Sequence, residues 1–281
     1  IRMTRKTRNT ISTILRYVVL CAVGVLMFYP MLWMVGASLK ANNNEIYSTI
    51  SFIPKNPSFA AYVKGWTATG YSFGKFMMNT YIIVFPKVVG IVISTIITAY
   101  GFSRFQFVGK TFLFAVLMST LFLPQVVLNI PQFLMFTDLG WVDTYKPLVV
   151  PTFFANEPYF VFMLVQFMRS VSKEAAEIDG CNSLQRLIYI VVPIVKPSIV
   201  SVALFQFMWS SNDFQGPLIY INTVTKYPAS LGLRLIADSE TGFEWNKILA
   251  LSVISIIPTL TVFFLAQDQF IDGIAAGGVK G

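Results

Sequence analysis

Three ionisable side chains, Lys87, Glu157 and Asp213, stand inside long apolar stretches of this 281-residue chain. A charge in such a setting is costly, so it normally faces other protein or water and marks a solute or ion pathway. Each also has a structural reading. Lys87 can snorkel or form a fixed pair, and Glu157 can sit at an interfacial helix end. Asp213 belongs to a polar cluster of Trp209, Ser210, Ser211, Asn212 and Asp213, followed by Gln215, Gly216 and Pro217. An unwound segment facing a cavity explains that cluster better than contact with lipid. Of the 26 Phe, 12 Tyr and 5 Trp, only Trp209 rises above ordinary lipid-facing, interfacial and core positions, because it adjoins the polar cluster.

Much other chemistry is excluded. The chain has no His and two Cys, Cys21 and Cys181, so a His-based triad has no base and a His or Cys zinc cage is improbable. The two thiols are far apart, with one in an apolar run, which leaves no support for a disulfide framework. Gly109, Lys110 and Thr111 spell the end of a phosphate-binding loop, but the Gly required five residues before Gly109 is Arg104, and no strand precedes the segment. Nucleotide binding by this chain is therefore not expected. A membrane-bound enzyme or receptor would have to use Glu157 and Asp213 as an acid pair, and their separation matches no motif.

The elements that must position these residues are membrane helices. Hydrophobic residues make up 55% of the chain and charged residues 12%, against about a quarter charged in soluble domains. Mean hydropathy is +0.66. A hydrocarbon core about 30 Å thick needs roughly 20 apolar residues per helix. Six runs of that kind occur, at 14–37, 76–101, 111–136, 147–169, 198–221 and 248–270, the fourth interrupted by Asn156, Glu157 and Pro158. The expected fold is all-α, a polytopic bundle of six transmembrane helices. The first run lacks a small-residue cleavage site and is expected to be retained. Pro86, Pro124, Pro131, Pro151, Pro158 and Pro258 lie in or beside the runs, where each removes a backbone donor and can kink its helix.

The formal charge of +8 is scattered rather than gathered into a stripe, which argues against a nucleic-acid partner. Arg2, Arg5, Lys6, Arg8 and Arg16 precede or open the first run and place the N-terminus inside. Six crossings return the C-terminus to the same side. Loops 102–110 and 170–197 then face inward with Arg104, Lys110, Lys173, Arg186 and Lys196, while 38–75, 137–146 and 222–247 face outward and carry Lys as well.

Loop 170–197 holds Lys173, Glu174, Ala175, Ala176, Glu177, Ile178, Asp179, Gly180 and Cys181, then Ile190, Val191, Val192, Pro193 and Pro197. Small Ala residues permit close approach by a partner, early acidic residues suit a helix N-terminus, and Gly180 allows a sharp exit. A short docking helix and an ordinary amphipathic connector fit these features equally. The string EAAEIDGC with IVVP beyond it resembles the EAA loop of the inner-membrane permease subunits of ABC importers. Cys181 stands where that family commonly has Ala, and Val192 where Leu is usual. AYGFSRFQFVGK at 99–110, IPQFLMFTDLGWVDTY at 130–145, WSSNDFQGPL at 209–218 and GIAAGGVKG at 273–281 resemble the carbohydrate-uptake branch, of maltose type. The likeness covers roughly residues 70–281. It divides the chain into residues 1–70, with the N-terminus, first span and outer loop, and a permease core at 71–281.

The resemblance implies half of a translocation pore in the bacterial cytoplasmic (inner) membrane, with both termini cytoplasmic. A second homologous permease, two ATPase subunits and an extracytoplasmic solute-binding protein are the implied partners, with membrane lipid around them. ATP and Mg belong to the ATPase, no cofactor is expected in this chain, and the permease is not an enzyme. Glu174, Ala175, Ala176, Glu177, Asp179 and Gly180 would couple to the ATPase, and the tail Gly277, Gly278, Val279, Lys280 and Gly281 would enter its interface. Lys87, Glu157, Trp209, Asn212 and Asp213 are the candidate solute path, and a carbohydrate, foremost an oligosaccharide, is the implied cargo. The outer loops mix both charge signs and do not specify an anionic ligand. A non-sugar solute and an ion-coupled secondary transporter are the alternatives; the latter is disfavoured because no internal inverted repeat is apparent.

Overall fold

The computed structural model describes residues 5–48, 50–171, 182–238 and 244–278, with side chains from 11 to 269. The elements among the described residues are helices, in the order α1 (Arg5–Ser38), α2 (Asn43–Ser48), α3 (Ala60–Gly65), α4 (Phe73–Arg104), α5 (Lys110–Ser119) and α6 (Gln125–Asp138). There follow α7 (Lys146–Val149), α8 (Pro158–Ser170), α9 (Ser183–Arg186), α10 (Val192–Ile194), α11 (Lys196–Ser211), α12 (Gln215–Tyr220), α13 (Ala229–Ala237) and α14 (Trp245–Gly278). Short 3-10 turns occupy 120–122, 150–154 and 224–226, and a π-helical stretch covers 187–191.

Among the described residues four stretches are long and apolar enough to cross a membrane: Ile11–Ser38, Phe73–Arg104, Lys146–Ser170 and Trp245–Gln269. Two bent pairs raise the number to six if each is one span. Lys110–Phe122 meets Gln125–Asp138 at 103°, and Ser183–Ile194 meets Lys196–Ser211 at 79°. The expected third span is therefore not one straight helix. Pro124 biases the preceding residue away from helical backbone, and Leu123 is extended at φ −80°, ψ 119°. The expected fifth span, 198–221, stops at Ser211. Asn212–Phe214 leaves the helix and α12 begins anew at Gln215, so the polar cluster does unwind the chain. The expected fourth span, 147–169, breaks at Ala155, which takes a left-handed φ of 51°, before Pro158 opens α8.

The chain divides into two compact units, residues 1–72 with 233–254 and residues 73–232 with 255–281. In the first, Lys40 and Pro57 form an antiparallel bridge, and the Ser38 and Tyr62 hydroxyls lie 2.7 Å apart. The apolar side chains of α1, such as Leu15, Val18 and Leu26, are exposed within the chain, as expected for a surface meant for lipid or another apolar partner.

In the second unit α4 is the central element, packing against α8, α11 and the 150–154 turn. The largest core joins Ile91, Ala99 and Tyr100 of α4 with Phe160, Leu164, Val165 and Met168 of α8, and with Leu187, Val191, Val195 and Val202. A Cβ on Gly90 would lie 2.6 Å from Thr152 Oγ1 and 2.8 Å from the Phe153 ring, so glycine is what admits this turn against α4. Two buried polar side chains of this unit find backbone partners, which offsets their loss of water. Asn79 donates to the carbonyls of Thr225 and Tyr227 (both 2.9 Å), and Ser94 to that of Thr152 (2.8 Å).

Candidate functional site

The break before α8, the bend between α5 and α6, and the middle of α4 together line an open cavity of about 400 Å³ in the second unit. Its polar lining is Lys87, Thr120, Gln125, Gln132, Thr152, Asn156 and Glu157, and the rest of its wall includes Leu128, Phe136, Leu148 and Tyr220. Pro86 and Pro158 adjoin the two charged residues. Each removes an amide donor at the position where the chain presents a charge to the cavity.

Lys87 does not stand alone. Its Nζ is 3.4 Å from Asp213 Oδ2, with the two side chains 12% and 27% exposed. Asp213 lies in the break between α11 and α12, where its Oδ1 accepts from the Gly216 amide (3.0 Å) and its carbonyl accepts from the Ser230 hydroxyl (2.9 Å). A Cβ at Gly216 would sit 2.8 Å from Asp213 Oδ2 and 2.9 Å from Leu148 Cδ2, so only glycine lets the carboxylate cap α12. The pair ties the charged middle of α4 to the unwound segment. This is the low-dielectric setting in which removing one partner costs more than the pair itself contributes.

Of the five sequence candidates, Lys87 and Glu157 line the cavity and Asp213 joins them through Lys87. Asp213 itself lines a separate crevice of about 10 Å³ with Thr80, Ile83, Ser210 and Pro217. Trp209 and Asn212 do not line the cavity. Trp209 is 49% exposed and stacks on Phe160 at 5.1 Å, and Asn212 donates to the Met208 carbonyl at 2.8 Å. The amides Gln125, Gln132 and Asn156 were not anticipated. Their signal was present as polar residues in apolar runs, with Gln125 and Gln132 seven apart on one face of α6.

A second polar centre closes one end of the same unit. Asp143, at a left-handed φ of 59°, accepts at Oδ1 from the amides of Asn222 (3.0 Å) and Thr223 (2.8 Å). Its Oδ2 accepts from the Thr223 hydroxyl (2.6 Å) and the Lys226 ammonium (2.8 Å). Lys226 and these donors hold the carboxyl far below the usual carboxylate range. Burial, with the Asp143 charge nearby, raises the Tyr145 phenol, which donates to the Lys226 carbonyl at 3.0 Å. The clamp joins the 139–145 turn to loop 222–227. In that turn Trp141 stacks on Phe136 at 5.5 Å, and the Asp143 amide donates to the carbonyl of Tyr220 at 2.7 Å.

The segment with Glu174, Ala175, Ala176, Glu177, Asp179 and Gly180 lies outside the described residues, as do Val279, Lys280 and Gly281. Gly277 and Gly278 end α14. Among the described residues no group of three His, Cys, Asp or Glu side chains is placed to hold a metal ion.

No family model matches the chain. It is similar to the probable ABC transporter permease protein YurM of Bacillus subtilis (strain 168), 30% identical over 256 residues, covering 90% of this chain and 84% of that protein. It is also similar to the galactooligosaccharides transport system permease protein GanQ of the same organism, 27% identical over 280 residues and 98% of each chain. Among solved structures it resembles a chain of a bacterial ABC transporter involved in the import of the acidic polysaccharide alginate. There the TM-score is 0.80 at 23% identity, over 96% of this chain and 99% of that one.

Proposed function

This chain belongs to the permease family of ABC transporters, and on that premise we propose that the cavity holding Lys87 and Glu157 is its solute path. The chain is the permease subunit of a carbohydrate uptake system of the ABC type. It is a multi-pass protein of the inner membrane and a transport component rather than an enzyme. In the proposed assembly it pairs with a second, homologous permease and stands on two ATPase subunits that bind ATP and Mg. An extracytoplasmic binding protein delivers the solute. Glu174, Ala175, Ala176, Glu177, Asp179 and Gly180 dock into the ATPase, and the tail from Gly277 to Gly281 enters its interface.

One observation carries the solute path: three carboxamides, two threonines, Lys87 and Glu157 line a space of about 400 Å³ in the second unit. A small number of convergent polar groups in a concave site is what fixes the orientation of a small-molecule ligand. Amides both donate and accept, which matches the paired donor and acceptor character of sugar hydroxyls. Lys87 is already matched by Asp213, so the cavity offers a neutral oligosaccharide hydrogen bonds without an unpaired cation. The transport step is rigid-body gating between two states, driven by ATP in the partner subunits.

The test is uptake by the complete assembly in sealed vesicles, with labelled neutral oligosaccharides. Uptake requires ATP, and Gly180→Pro or Glu174→Lys leaves the complex assembled while separating hydrolysis from transport. Uptake that persists without ATP and follows an ion gradient refutes the reading.

A further inference from the structure

The last turn of α4 touches both ends of the segment read above as the ATPase dock. Arg104 Nη2 donates to the carbonyl of Val171, the residue just after α8, at 3.0 Å. The Tyr100 hydroxyl donates to the carbonyl of Ser183, the first residue of α9, at 3.0 Å. The two side chains are four residues apart and so share one face of the helix. Between them Ser103 Oγ lies 3.7 Å from Met168 Sδ.

Both anchor points are themselves fixed. Val171 and Met168 are buried in the core that also holds Tyr100, Leu187 and Val191. Asn182, just before α9, forms a reciprocal capping box with Gln185: its side chain accepts from the Gln185 amide, and its own amide donates to the Gln185 side chain, each at 2.9 Å. The chain therefore leaves α8 and enters α9 at two points that cannot shift without pulling on α4. Lys87 is on the same helix, about 20 Å from Tyr100 at 1.5 Å per residue. Packed helices move as units, so a displacement at the end of α4 is felt at the cavity beside its middle.

We propose that Tyr100 and Arg104 are positioning residues that fasten both ends of the 172–182 connection to α4 and so carry the ATPase stroke to the cavity at Lys87. Neither residue touches the solute or the nucleotide in this scheme. The inference rests on the assignment of Glu174–Gly180 as the ATPase dock, and the experiment separates the two.

The experiment measures solute transported per ATP hydrolysed by the complete assembly in vesicles, for Tyr100→Phe, Arg104→Gln, Arg104→Lys and the double variant Tyr100→Phe/Arg104→Gln. Tyr100→Phe removes only the hydroxyl and keeps the ring in its core. Each broken contact is worth one net hydrogen bond, so Tyr100→Phe and Arg104→Gln each lower the ratio about five-fold, and the double variant roughly twenty-fold. Hydrolysis and assembly persist, and Arg104→Lys, which keeps a donor for Val171, restores most of the ratio. Gly180→Pro is the control for the dock. If it leaves the ratio unchanged, the dock assignment fails and the inference falls with it. If it uncouples while the Tyr100 and Arg104 variants transport normally, only the role of α4 is overturned. Loss of the assembled complex in the double variant, with a normal ratio for Tyr100→Phe, would make the two contacts merely structural and also overturn it.

Discussion

Asp143→Ala removes the acceptor on which loop 222–227 is folded. Four hydrogen bonds end on that carboxylate, two from backbone amides, one from the Thr223 hydroxyl and one from Lys226. A hydrogen bond to a charged group contributes about 1.5–3 kcal/mol. The four share one group whose side chain is 29% exposed, so their sum overstates the loss, and about 2 kcal/mol for the clamp is the appropriate scale. Alanine at a φ of 59° adds a backbone cost of roughly 1–2 kcal/mol, which Asp143→Gly avoids. Asp143→Asn keeps one carbonyl oxygen for the amides and loses the ion pair, for about 1 kcal/mol.

The readout is amide hydrogen exchange at Asn222 and Thr223 in the purified protein, because local opening reports this loop rather than the whole fold. Exchange at both amides accelerates roughly thirty-fold in Asp143→Gly, about five-fold in Asp143→Asn, and most in Asp143→Ala. The pH dependence has a definite sign. The folded carboxyl is held below its ordinary value of about 4, so its contribution is complete above that pH and is lost as the pH falls through the depressed value. Protection is therefore flat from pH 7 to 5 and declines only below about pH 4. Unchanged exchange in Asp143→Gly, or protection lost between pH 7 and 5, would refute the clamp.

Lys87→Met leaves the Asp213 carboxylate without its ammonium partner and lowers the thermal midpoint, whereas Lys87→Met/Asp213→Asn recovers part of the loss. A double-mutant cycle should show coupling of about 0.5–3 kcal/mol, and zero coupling would mean that the 3.4 Å contact is not energetically linked. Gly90→Val forces its side chain into Thr152 and Phe153 and destabilises the protein by about 1–3 kcal/mol, measured as a lower midpoint, while Gly101→Ala, where nothing lies within 4 Å, does not.

The membrane class, the helical runs and the site of the fifth-span break were legible because each is a local property. An apolar run needs only its own residues to favour lipid, and the polar cluster at 209–213 disfavours lipid whatever its neighbours. Pro124 was recognised as a potential kink, but its 103° bend was not, since the angle depends on what the two halves pack against. The intramembrane charges were singled out one at a time as expensive groups. That Lys87 meets Asp213, 126 residues away, is a matter of how α4 packs on α11.

By itself the sequence determined that this is a multi-spanning helical protein without the side chains for His-based catalysis, and its EAA-like string pointed to the permease family. Hydropathy, spacing and the absence of a residue type are read along the chain and need no third dimension. Only the tertiary structure decided that Gln125, Gln132, Asn156 and Glu157 share one cavity, that Trp209 and Asn212 lie outside it, and that Tyr100 and Arg104 hold both flanks of the 172–182 connection. Those are contacts between residues far apart in the chain, and the energy that selects them comes from packing and from satisfying buried polar groups, which no local pattern encodes.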